Sequence, residues 1–201
     1  MNKKVLLVAL LAVATMLSAS AQKVSGNLSP LKGQTEINVV LDFSGTMVST
    51  GSVMGKPIKE TEEKFVADAI KDKSDAEKEQ WLTEWNVKLR DGAYAILVKD
   101  MGNVLTKKGI SVGSYPNAEY TIIVKVTLIE TGHFVGISVR ASAITADVSF
   151  VKTGETSPFA TIAYNRISNG ASAYVAYLIA RVEMSFGMLG INLGRVISKV
   201  K

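Results

Sequence analysis

Period-two alternation opens the pattern at Ile37-Asn38-Val39-Val40-Leu41-Asp42-Phe43, where Ile37, Val39, Leu41 and Phe43 share one side of an extended chain. The Gly/Ser/Thr-rich stretch from Ser44 to Pro57 reads as loop. Phe65, Val66, Ala69 and Ile70 then gather on one side of a short helix near 61–72. Ser74-Asp75-Ala76-Glu77 has the form of a capping box, in which serine and glutamate satisfy the free N–H groups of a helix start. Beyond it Leu82, Trp85, Leu89, Ile96, Leu97, Val104 and Leu105 make a stripe at helical spacing. Lys107 and Lys108 suit the negative end of the helix dipole, and Gly109 suits the left-handed position that closes a helix. Gly92, inside this pattern, marks a bend or a close packing contact.

Alternation returns after the turn at Ser114-Tyr115-Pro116-Asn117. Ile122, Val124, Val126 and Leu128 oppose Thr121, Lys125 and Thr127; Ile144, Ala146, Val148 and Phe150 oppose Thr145, Asp147 and Ser149. The second of these runs continues through Gly154 to Pro158 into a third at Phe159–Ile167, as a hairpin. Such alternation predicts an antiparallel or mixed sheet with one covered face. From Ala173 to Val200 the chain is apolar enough to suggest a span, but Arg181, Glu183, Asn192 and Arg195 interrupt it, and Leu178, Val182, Leu189, Leu193 and Val196 mark a helical face. It reads as a helix lying on the sheet, with Gly190 and Gly194 allowing close approach to the strands. The predicted class is α+β, ordered β-α-β-β-β-α, with roughly four mixed or antiparallel strands and two long helices packed on one face.

The beginning of the chain follows another pattern. Lys3-Lys4, an apolar run from Val5 to Leu17 and Ala19-Ser20-Ala21 have the order of a secretory signal peptide, residues 1–21. The apolar run is shorter than the ~20 residues a membrane span needs. Residues 22–35 read as a flexible leader and 36–201 as a single domain. Removing Lys3 and Lys4 with the signal lowers the formal charge from +5 by two, and no Lys/Arg run remains to suggest a nucleic-acid binder. With no cysteine in the chain, neither a lipidated thiol nor a disulfide is available, so stability rests on packing. An exported protein, periplasmic or secreted, with no span after cleavage, is the expectation.

Candidate chemistry is sparse. Asp42-Phe43-Ser44-Gly45-Thr46 follows an apolar strand and resembles the Asp-x-Ser-x-Thr site of von Willebrand factor A domains. The resemblance implies that Asp42, Ser44 and Thr46 hold Mg²⁺, a hard cation suited to oxygen ligands, in an adhesion module. The antiparallel second half departs from that family's parallel sheet, and the bland alternative is a strand end turned by Ser44-Gly45. His133 is the only histidine; it sits in Glu130-Thr131-Gly132-His133-Phe134-Val135-Gly136, which reads as an exposed loop. His133, Phe134 and Val135 are candidate partner contacts. Trp81 and Trp85, four apart, read as core, and Lys125 as a neighbour of Asp147. No set of residues here assembles a catalytic site.

Asp42-Phe43-Ser44, the helix with Trp81, Trp85 and Arg90, Tyr115-Pro116-Asn117-Ala118-Glu119-Tyr120-Thr121, the glycine-rich insertion, the hairpin and Leu193-Gly194-Arg195 occur in an order that resembles small secreted proteins of unknown function from Gram-negative bacteria. That order is in turn similar to the N-terminal α/β domain of TolB-like periplasmic proteins. The resemblance spans about residues 35–200 and brings no catalytic residue. The expected function is a non-enzymatic envelope protein, without cofactor, that binds a protein or envelope partner through the open sheet face, the sheet edge or the 130–142 loop. A second copy of the chain is one admissible partner.

Overall fold

The computed structural model describes residues 24–53, 56–135 and 138–200, so the signal-peptide reading lies outside the described residues. Among the described residues ten strands form: β1 Val24–Gly26, β2 Glu36–Asp42, β3 Met47–Val53, β4 Lys56–Thr61, β5 Ser111–Gly113, β6 Tyr120–Glu130, β7 His133–Val135, β8 Ser138–Arg140, β9 Ala143–Lys152 and β10 Ala160–Ile167. The helices are α1 Glu62–Ile70, α2 Asp75–Thr83, α3 Leu89–Leu105 and α4 Leu178–Ile197. A π-helical turn, Glu84–Lys88, joins α2 to α3.

The predicted α+β class and its central order hold. The four strands legible from alternation are β2, β6, β9 and β10, and they lie side by side in the order β10-β9-β6-β2. β6, β9 and β10 run antiparallel, whereas β2 runs parallel to β6, as a crossover through helices requires. The sheet is nonetheless wider than the four strands expected. β1 extends it beyond β10 and β5 beyond β2, while β3 and β4 form a hairpin on the far half of β6. Two segments therefore differ from their sequence reading. The leader contributes β1 and the buried Leu31, and the loop at 44–57 contains most of the β3–β4 hairpin.

β6 is the longest strand and two parallel neighbours share one of its edges. β2 pairs with its first half, ending at Asp42 opposite Lys125, and β3 with its last residues, starting at Met47 opposite Leu128. The chain from Phe43 to Thr46 thus absorbs two residues more than β6 does, as a tight bulge with Gly45 at φ 72°.

One face of this sheet is covered. Ile37, Val39, Ile122, Val124, Val126, Ala146, Val148, Phe150 and Ile162 are buried, against Trp85, Leu89, Ala93, Leu97, Met101 and Leu105 from one helical rod and Val182, Phe186, Leu189, Leu193 and Ile197 from α4. The first set of helix residues recurs every fourth position. Four residues overshoot a 3.6-residue turn by about 40°, so the buried stripe winds around the rod, and the wider π turn beside Trp85 takes up part of the overshoot. Trp81 and Trp85 stack with centroids 5.7 Å apart and Phe65 of α1 meets both, which agrees with the core reading.

α3 and α4 touch almost at the backbone. A Cβ added at Gly190 would lie 2.3 Å from Leu97 O, one at Gly194 2.8 Å from Val104 Cβ, and one at Gly187 2.6 Å from Asp100 Oδ2. The glycines therefore serve helix-to-helix approach and not the helix-to-sheet approach expected from sequence. Gly92 does the same from the α3 side, where Glu183 Oε1 occupies the space a Cβ would take, so it is a packing contact. No helix among the described residues is long and apolar enough to cross a membrane.

Two predictions follow from this seam. Gly190→Ala presses a methyl on a carbonyl oxygen fixed in a helix and is expected to cost about 2–3 kcal/mol; Gly187→Ala meets the mobile end of Asp100 and should cost clearly less. Urea unfolding of both variants checks the order. Half-buried Glu183 has its carboxyl held above the ordinary glutamate range by loss of hydration. Ionisation then opposes folding, with no penalty below the unfolded pKa and the full penalty above the raised folded one. Glu183→Gln should raise the melting temperature at neutral pH, and the gain should vanish as pH falls below the ordinary range.

Candidate functional site

The far end of β6 carries an unusual concentration of buried polar groups. Glu130, its last residue, has a side chain only 4% exposed. Arg140 of β8 reaches its Oε2 at 2.7 Å and Arg166 of β10 its Oε1 at 3.2 Å. Such a carboxylate is tolerated inside because two guanidinium groups replace its water. Arg166 has φ 54°, the one positive value at a non-glycine residue among those described, at a break in the β9–β10 register. The ion pair and a bond from its N–H to Thr145 Oγ1 at 3.3 Å hold this costly conformation.

Arg181 of α4 is 6% exposed and buried beside the same end. Its Nε donates to Thr131 O at 2.9 Å and its Nη1 to Val175 O at 2.8 Å, so one side chain ties the β6–β7 link to the entry of α4. Burial lowers its pKa from the ordinary value, but an arginine still keeps its proton at neutral pH. Behind it Ser142 donates to Arg181 O at 2.5 Å, and its hydroxyl is also in contact with those of Ser172 at 3.3 Å and Ser185 at 2.8 Å. Ser142, Ser172 and Ser185 are fully buried, so they act as fasteners and offer no nucleophile to a substrate.

On this base stands the β7–β8 hairpin. Gly132 (φ 62°) brings the chain so close to Arg140 O that a Cβ would sit 2.3 Å from it. His133 Nε2 is 2.8 Å from Ser138 Oγ, a bond that stitches the hairpin across its strands. Phe134 is 42% exposed, Val135 70% and Val139 37%. The 3-10 turn Gly170–Tyr174 packs against both strands, bringing Tyr174, 74% exposed, alongside, while half-exposed Tyr177 follows at the entry of α4 with its hydroxyl bonded to Glu84. Of the residues singled out by sequence, His133, Phe134 and Val135 are therefore together and on a strand, where a loop was expected. The tyrosines and the Glu130 latch went unseen, although a carboxylate closing an apolar strand was a signal that could have marked the latch.

Asp42, Ser44 and Thr46 meet a different fate. Asp42 Oδ1 accepts from Ser44 N–H at 2.8 Å, which keeps its carboxyl below the ordinary aspartate range with help from Lys125. Thr46 is buried, and its hydroxyl lies 2.7 Å from Phe43 O and 2.8 Å from Val126 O, to which it donates. The hydroxyl is engaged with the backbone inside the bulge, and the motif builds the step from β2 to β3. Among the described residues no group of three or more His, Asp or Glu side chains is placed to hold a metal ion. The open sheet face is polar: Lys125 lies between Asp42 and Asp147 in cross-strand register, as the alternation suggested.

No family model and no curated protein matches this chain. Among solved structures, a Xanthomonas campestris protein of family DUF330 is similar at 9% identity, covering 82% of this chain and 84% of that one, with a TM-score of 0.38. The PelC dodecamer of Paraburkholderia phytofirmans is similar at 12% identity, covering 86% and 98%, with a TM-score of 0.39. Likeness at this level carries no argument about function, and the expected similarity to the TolB-type domain finds no support in it.

The latch makes a direct prediction. Glu130→Ala leaves two arginines facing each other without their carboxylate and should cost about 2–3 kcal/mol, the half-exposed Arg166 keeping the loss below that of a fully buried pair. Equilibrium unfolding measures it.

Proposed function

We propose that this chain is a non-enzymatic binding module exported to the cell envelope, and that it holds a protein partner on the β7–β8 hairpin and the adjoining Tyr174–Tyr177 segment. The observation that supports this reading is a group of exposed apolar and aromatic side chains, Phe134, Val135, Val139, Tyr174 and Tyr177, on segments fastened from beneath by Arg140–Glu130 and Arg181. Aromatic side chains are enriched at the centres of protein interfaces, and an anchored base lowers the entropy lost on binding. Export rests on the charged, apolar and small-residue order of residues 1–21. The reading needs no cofactor and places no reaction on the chain.

A photo-crosslinking residue at position 135, compared with one at position 161 on the open sheet face, tests it in intact cells. Adducts to an envelope protein should form from 135 and not from 161, and Val135→Asp with Tyr174→Ala should weaken recovery of that protein by more than about tenfold at unchanged melting temperature. Equal adducts from both positions, or none from 135, would refute the hairpin as the binding surface. An adduct of twice the chain's mass would identify the partner as a second copy.

A further inference from the structure

The opposite end of the sheet has a different chemistry. It lies about 33 Å away along the eleven residues of β6. Both long helices finish there. Val24, Leu28, Val196 and Val200 border a groove of about 460 Å³ beside Lys199. Val200 also borders a second depression, of about 190 Å³, walled by Ile110 and Ile197 with Lys32 and Lys108. Lys32, Lys107, Lys108, Arg195 and Lys199 are all exposed, and none forms an ion pair among the described residues. The carboxylates at this end are Glu36, at the start of β2, Glu119, which accepts from Gln34 Nε2 at 3.1 Å, and Glu155, close to Tyr120, with exposed Lys152 opposite Tyr120 as a further cation. Each helix terminus adds about half a negative charge. With Lys152, six cations exceed three carboxylates and two helix ends by about two charges.

We propose that this end docks peripherally on an anionic lipid surface, with the lysines against headgroup phosphates and the two grooves receiving the apolar parts of lipid. Charge complementarity supplies the attraction. The groove floors choose among anionic partners, since a hydrophilic polyanion would leave Leu28, Val196 and Val200 wet, whereas a lipid covers them. Contact of this kind needs no spanning helix. It is separate from the hairpin surface, so either proposal can fail alone.

The test is flotation of the full chain with vesicles of phosphatidylcholine, with and without about a third phosphatidylglycerol. Binding should require the anionic lipid and fall with added salt. Lys32→Glu, Lys108→Glu and Lys199→Glu together should weaken it by about two orders of magnitude, at roughly fivefold per lysine. Val200→Asp should weaken it as well, while Val135→Asp should leave it unchanged. Absence of binding to anionic vesicles, equal binding to neutral ones, or retention in the triple lysine variant overturns the proposal. Heparin bound as tightly as vesicles would also overturn it, by making the site one for soluble polyanions.

Discussion

The contact between the backbones of α3 and α4 is the constraint on which the remaining structure depends. At Gly190 and Gly194 the two helices are separated by no side chain of α4, so the pair is narrow enough for both apolar stripes to reach the same face of one sheet. With bulkier residues there, one stripe would lift from β9 or from β2, because protein interiors at crystal-like density do not absorb a methyl group without displacement. A chain without cysteine has no covalent means of holding such a layer. The close approach replaces it with dispersion contacts along the length of α4.

That layer explains which parts of the fold were legible. Alternation identified β2, β6, β9 and β10 because each has a covered side and an open side, so period two is written into its residues. The strands that escaped lack this contrast. β1 and β5 are three residues long, and β4 exposes most of Lys56–Thr61, so no apolar period can develop in them. Their pairing is imposed by neighbours: β1 exists because β10 offers Ala160–Ile162 as an edge, and β3 because β6 continues past the end of β2. The glycines of α4 were visible, but nothing in one sequence says whether a small residue faces a strand or another helix.

The candidate site was legible in part for a related reason. His133, Phe134 and Val135 drew notice as an apolar pair beside a lone histidine in a glycine-flanked segment, which is a local signal. The tyrosines joining them come from about forty residues later, and Arg140, Arg166 and Arg181 converge from three different elements. Convergence of that kind is a property of topology, and only the register of β6 with β9 and β10 reveals it. Asp42-Phe43-Ser44-Gly45-Thr46 shows how one local pattern admits two readings. Aspartate, serine and threonine at metal-site spacing are also what a bulge requires, one to bridge a turn and one to satisfy a carbonyl inside the sheet.

β6 links these observations because its two ends differ in kind. At one end the buried carboxylate of Glu130 is paired with Arg140 and Arg166 and Arg181 is spent on backbone carbonyls, while the hairpin above exposes apolar and aromatic groups. At the other end the charges are left without ion pairs and the apolar groups lie in grooves. A strand buried against a tightly packed helix pair is a stiff spacer, so the two ends keep a fixed separation and opposite directions. A molecule of this form can sit by its basic end on one surface while presenting its hairpin to something else. That arrangement gives a reason, beyond stability, for packing the helices so closely: a looser layer would let the two ends turn relative to each other.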